Sequence, residues 1–178
     1  KEGFRPKHQE KRKGSEQQHK KFPTTHVVEG TMRITAKGVG YVRVPDMPED
    51  VEIDAAFLNT ALDQDRVKIV LHGKVSGRRQ GGEVSEVLFR NKTKFVGVLQ
   101  KEGGSYFLSP DDFRMYRTIH IPEDKLGAAK VGEKIFVEMT HWTNPLKEPL
   151  GVVLRVLGAV YVNDVEMEAI VLERGFDT

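Results

Sequence analysis

The chain contains no cysteine. Disulfides, thiolate nucleophiles and cysteine-ligated metal sites are therefore excluded, and a reducing compartment suits it. No apolar run is long enough to cross a bilayer. The best candidate, residues 151–162 (GVVLRVLGAVYV), is short and interrupted by Arg155. Aromatic residues make up only 8% of the chain, with a single tryptophan, Trp142. The chain opens on Lys1 rather than Met, which reads as a trimmed N-terminus. A soluble, cytoplasmic, monomeric protein is expected, with no membrane and no small-molecule cofactor.

Net charge is also scarce, at +2, but it is unevenly placed. Residues 1–21 carry eight Lys/Arg and three Glu, whereas the remainder carries 20 basic and 23 acidic residues. A basic arm thus precedes a slightly acidic body. Such arms bind nucleic acid or remain solvated tails. This one has almost no apolar residues to offset the cost of ordering, so residues 1–25 are expected to be a basic disordered arm.

The body reads as strands. Alternating segments at 51–58, 65–73 and 82–89 follow the opening THVVEGTMRITAKGVGYVRV at short spacing. The second half repeats the first. VGVLQKEGGSYFL (96–108) echoes the opening pair of strands, residues 118–140 echo 50–72, and residues 149–158 echo 81–90. The alignment sets Tyr41 against Tyr106, Ile53 against Ile121, Val67 against Ile135 and Val84 against Val153. Three strands, a short helical turn and two more strands are the order of an OB-type barrel. The expected fold is all-β: two tandem five-stranded OB-type barrels, over 26–91 and 92–158. A terminal helix within 159–178 follows, with an Asn163/Glu166 capping box and Gly175 as its stop. Its apolar face, Val165, Ala169 and Leu172, calls for a partner, expected in a further domain.

In the stretch AKGVGYVRV (36–44), alternation places Lys37, Val39, Tyr41 and Arg43 on one face. The glycines would let the strand curl and let nucleic acid approach. Ring plus cations make a single-stranded nucleic-acid platform; the alternative is a bent barrel strand with a half-exposed tyrosine. In the second barrel Tyr106 is expected outward with Lys101 nearby and Phe107 inward. His120 takes the outward place of Glu52, and Arg114 and Arg117 are placed to bracket a phosphate. Arg78 and Arg79, in a glycine-flanked loop, reach a backbone without a fixed strand. Trp142 either stacks on a base or packs between domains.

KGVGYV resembles the first ribonucleoprotein motif of cold-shock domains, with Lys37, Gly38 and Gly40 matching and Val39 replacing an aromatic. DVEIDAAF (50–57) lies where the second motif falls, with Glu52 and Asp54 at positions usually given to stacking side chains. Carboxylates there repel an RNA backbone. Over about residues 26–178, the order of segments is similar to the N-terminal half of the ribonuclease II family of processive 3′-to-5′ exoribonucleases. The resemblance implies that this region captures single-stranded RNA and guides it to a magnesium-dependent catalytic domain beyond Thr178. It implies no catalytic residue in this chain; Asp111 and Asp112 read as a turn. A free-standing two-barrel RNA chaperone and an OB-type protein-interaction module are the other readings.

Other motifs are weak. The six histidines (8, 19, 26, 72, 120 and 141) lack metal-ligand spacing. In GAAKVGEKI (127–135) Glu133 stands where a phosphate-binding loop needs lysine.

Overall fold

The computed structural model describes residues 26–175. The basic arm and residues 176–178 lie outside the described residues. Ten strands and one α-helix follow in order: β1 Val27–Ile34, β2 Gly40–Arg43, β3 Val51–Ile53, β4 Arg66–Leu71, β5 Gly81–Phe89, β6 Lys94–Glu102, β7 Ser105–Pro110, β8 Ile119–Ile121, β9 Glu133–His141, β10 Leu150–Ala159 and α1 Asn163–Glu173. Short 3₁₀ turns, Ala55–Phe57 and Glu123–Lys125, sit between the third and fourth strands of each repeat.

The strands close two barrels, in the order β1-β2-β3-β5-β4 and β6-β7-β8-β10-β9 around each ring. Period-two alternation sends one side chain in two to the interior. Met32, Val42, Val51, Ile53, Val67 and Ile69 fill the first barrel, and Leu99, Leu108, Ile119, Ile121, Ile135 and Val137 the second; all are fully buried. Closure leaves neither sheet with an open edge.

The two opening hairpins differ. In the first, Ile34 pairs with Gly40 and residues 35–39 make the connection. In the second, Glu102 pairs with Ser105 across Gly103 and Gly104, both with positive φ (54° and 84°), a two-residue turn that suits glycine pairs. Lys37 and Gly38 therefore lie in a turn, not on a strand. Gly38 has φ 76°, and its N–H donates to the Thr35 carbonyl. Gly40 faces the core: a Cβ there would meet Met32 Sδ at 2.7 Å and Leu58 Cδ2 at 2.8 Å. Chain reversal and core packing account for the two glycines; ligand approach is not needed to explain them.

A polar network joins the barrels. The Asp65 carboxylate is fully buried and accepts from the backbone N–H groups of Leu62 (2.8 Å) and Asn91 (2.9 Å) and from the Arg90 guanidinium. Arg90 lies over the Trp142 ring at 5.6 Å, and Tyr116 stands 6.0 Å from the same ring. The Tyr116 hydroxyl donates to the Ala61 carbonyl in the first barrel (2.8 Å), and burial pushes its phenol well above the ordinary range. Trp142, 8% exposed, thus packs at the junction, with its indole N–H shared by the Asn144 and Lys147 carbonyls.

Helix α1 finds its partner inside the chain, not in a further domain. Ala169 and Leu172 pack on Val96, Phe136 and Leu157 of the second barrel's outer face. The corresponding face of the first barrel carries the pairs Glu29–Arg66 and Lys68–Glu86 instead, and among the described residues no helix covers it. The expected capping box does not form. Val162 is the N-cap; Glu166 instead accepts from the Tyr161 N–H (3.0 Å) and from Lys134 Nζ (2.7 Å). Lys134 also holds Asp111 at 2.8 Å. Burial opposes the charge on Lys134, but the two carboxylates outweigh it and raise its pKa. Gly175, with φ 81°, ends the helix as the sequence predicts.

Candidate nucleic-acid interface

The first three strands of each barrel present their alternate residues to solvent as a row. In the second barrel, register aligns Gln100 with Phe107, Phe107 with His120, His120 with Leu150, and Leu150 with His141. The Phe107 and His120 rings lie 5.3 Å apart at an interplanar angle of 41°. Leu150 and His141 are exposed beside them. Two half-buried rings next to an exposed leucine form an apolar strip on which planar bases can stack.

In the first barrel the equivalent row runs Arg33, Tyr41, Glu52, Gly81. His72 adjoins Gly81 and meets Phe57 edge-on at 5.2 Å. Arg33 and Arg79 stand 5.7 and 5.5 Å from the centre of the Tyr41 ring. Two cations around one ring give this face a different character from the apolar strip of its neighbour.

Register corrects one pairing. Tyr41 corresponds to Phe107, not to Tyr106. Tyr106 pairs with buried Ile121 and packs against the second core, while its hydroxyl accepts from Lys101 Nζ at 3.2 Å. Phe107, expected inside, is the outward ring. The shift follows from the shorter second hairpin, because a one-residue slip exchanges the two faces of a strand. His120 does take the place of Glu52, facing outward from the middle strand.

The remaining candidates are scattered by the structure into distinct settings. Lys37 is exposed in the first hairpin turn, and Val39 is half-buried beside it, off the strand face. Arg43 is exposed and holds Asp50 at 3.1 Å. Arg78 and Arg79 are exposed in the loop joining β4 and β5, and only Arg79 reaches the Tyr41 ring. Arg114 and Arg117 do not bracket an open site. Arg114 pairs with Asp112 (3.0 Å) and crosses to Asp63 of the first barrel (3.3 Å), and Arg117 donates to the Pro145 carbonyl. Burial pushes the Asp112 carboxyl up, but hydrogen bonds from Arg114 and the charge of Lys92 bring it below its ordinary value. Sequence reasoning places Phe107 inside and does not single out Leu150, His141 or Arg33 as contacts. Exact turn lengths give Phe107 and Arg33; the place of Leu150, and through it His141, needs the pairing of β8 with the distant β10.

Asp111 and Asp112 are thus committed to Lys134, Lys92 and Arg114. Among the described residues no group of three or more His, Asp or Glu is arranged to hold a metal ion.

Residues 30–87 match the ribonuclease B OB domain, and residues 107–178 match the cold shock domain. Together with the two closed barrels these matches define a tandem OB/cold-shock chain. Its particular likeness is to ribonuclease R, in the N-terminal region. The Thermotoga maritima ribonuclease R is 25% identical over 144 residues, covering 81% of this chain and 20% of the relative. The Chlamydia pneumoniae ribonuclease R is 32% identical over 143 residues, covering 73% and 20%. This chain therefore spans about a fifth of the length of the curated relatives it matches. Mycoplasma genitalium RNase R, solved in complex with ribose-methylated single-stranded RNA, shares the fold with a TM-score of 0.74 at 22% identity, over 85% of this chain and 25% of that one. Yeast Ssd1, described as a pseudonuclease, shares it with a TM-score of 0.71 at 18% identity, over 84% and 25%.

Proposed function

We propose that this chain is the RNA-binding region of a ribonuclease R-like 3′-to-5′ exoribonuclease, capturing single-stranded RNA and guiding it to a magnesium-dependent catalytic domain outside these residues. The observation that carries the reading is the outward row of the second barrel, Phe107, His120, Leu150 and His141. These side chains offer stacking surface with no charge repelling a phosphate backbone. Each base stacked on an aromatic ring contributes about 1–3 kcal/mol and tolerates any base. Likeness to ribonuclease R supports the substrate class.

Of the eleven candidate contacts, Tyr41, Arg79 and His120 are assigned an RNA role, which their position on or beside the outward rows supports. Lys37, Arg43, Arg78 and Lys101 are exposed cations placed to meet phosphates around the rows. Val39, Tyr106, Arg114 and Arg117 serve the framework instead. No hydrolytic residue is assigned in this chain.

Two measurements test the reading. A short unstructured RNA should bind the purified chain at moderate salt, more tightly than a blunt duplex of the same length. Equal or tighter duplex binding would contradict capture through exposed bases. The chain should also release no mononucleotides from RNA with magnesium present; release would overturn the assignment of catalysis to another domain.

A further inference from the structure

The first barrel has an acid where its neighbour has a ring, and that acid is unused. Asp50 is held by Arg33 (3.8 Å) and Arg43 (3.1 Å), Asp54 accepts from the Ala56 N–H (3.0 Å), and Glu83 meets His72 at 3.7 Å. The exposed Glu52 carboxylate takes part in no hydrogen bond or ion pair among the described residues. Two guanidinium groups stand nearby, yet both lie against the Tyr41 ring and not against Glu52.

The surroundings of Glu52 are shaped for a flat ligand. Tyr41 is its direct cross-strand partner on one side and Gly81 on the other. Directly opposite side chains in a sheet have Cβ atoms roughly 5 Å apart. A base lying on Tyr41 therefore brings its edge over Glu52. Gly81 brings no side chain of its own on the far side, where His72 Nδ1 lies 3.5 Å from the position a Cβ would take and Phe57 meets that ring edge-on. The exposed cation–π contacts on Tyr41 are worth about 0.5–1 kcal/mol each. A base–aromatic stack contributes about 1–3 kcal/mol, so a base displaces a guanidinium and frees it for a phosphate.

An ionised carboxylate offers two acceptors side by side and no donor. Guanine alone among the RNA bases presents two adjacent donors on its Watson–Crick edge, N1–H and the exocyclic amino group. Adenine, cytosine and uracil each place an acceptor beside their one donor position. That acceptor would face a carboxylate oxygen and leave it unsatisfied.

We infer that the first barrel carries a guanine-selective subsite, with the base stacked on Tyr41 and its N1–H and amino group bonded to Glu52. The inference rests on the RNA-binding reading above. It makes the two barrels unlike: the second stacks any base, and the first selects one.

The test uses three eight-nucleotide single-stranded RNAs at fixed salt: all uridine, the same with one central guanosine, and the same with inosine in its place. Inosine keeps N1–H and lacks the amino group. A good bidentate pair discriminates by about 1–3 kcal/mol, so the guanosine oligomer should bind roughly tenfold more tightly than the inosine one. Glu52→Gln should bring the two within about twofold without weakening the uridine oligomer. Equal binding of guanosine and inosine oligomers, or a preference that survives in Glu52→Gln, overturns the subsite while the uridine oligomer still reports RNA binding. If none of the three binds, the RNA-binding reading itself fails and the subsite with it.

Discussion

Phe107 and His120 meet across two strands, each half-buried, on a face that no other described element covers. One residue away, Tyr106 turns to the opposite side and packs on the second core. The two side chains should therefore fail differently when removed. Tyr106→Ala should cost about 2–3 kcal/mol of stability in urea melts, below the roughly 3–5 kcal/mol of fully buried aromatic-to-alanine changes because the ring is only partly buried. Its effect on RNA binding should be small wherever the protein is folded. The alternation along this strand was legible in sequence, but not its phase. Phase depends on turn length, and the internal repeat misleads there: a connection through residues 35–39 in one barrel is a Gly103-Gly104 turn in the other. Glu52 was legible as an outward acid, because the middle strands of both barrels keep the same register. Replacing it with a ring, Glu52→Phe, should strengthen binding of a uridine oligomer by about 1–3 kcal/mol in equilibrium titrations, since a stack replaces a repulsive charge. Unchanged affinity would mean that RNA does not cross the first barrel's face.

At the scale of elements, α1 is held by two kinds of contact. Ala169 and Leu172 bury against the second barrel, and Glu166 bonds Lys134 at 2.7 Å. The hydrogen bond from Lys134, followed by that from the Tyr161 N–H, holds the Glu166 carboxyl below its ordinary value of 4.5. A carboxylate depressed in the folded state lends stability that is present above its unfolded pKa and lost as pH falls through its folded one. Protection of the α1 amides from hydrogen exchange, corrected for intrinsic rates, should thus decline as pH falls below about 4.5. Glu166→Gln should show reduced protection already at neutral pH. Protection independent of pH in the wild type would assign the docking to apolar burial alone. The helix was legible from its pattern and from Gly175. Its seat was not, because periodicity marks an apolar face without saying what covers it. The partner residues, Val96 and Phe136, lie far back in the chain on the outer face of β6 and β9.

At the scale of the molecule, a buried carboxylate ties the barrels together. Asp65 is fully buried and bonded by Arg90, whose guanidinium also lies over Trp142. Arg90→Ala leaves that charge unpaired and should cost about 3–5 kcal/mol in chemical denaturation. A loss under 1 kcal/mol would mean that the junction is not held this way. The tandem architecture was legible in sequence because the repeat preserves core positions such as Ile53/Ile121 and Val67/Ile135. The junction was not, since Asp65, Arg90, Tyr116 and Trp142 meet only in the folded chain. With the barrels fixed, binding energy should concentrate on the outward rings. The most direct test is Phe107→Ala, titrated with a short unstructured RNA at fixed salt and checked by urea denaturation. The account predicts a loss of about 1–3 kcal/mol in affinity, at least fivefold, with stability nearly unchanged. Wild-type affinity in a folded Phe107→Ala protein would contradict the claim that this face of the second barrel binds RNA.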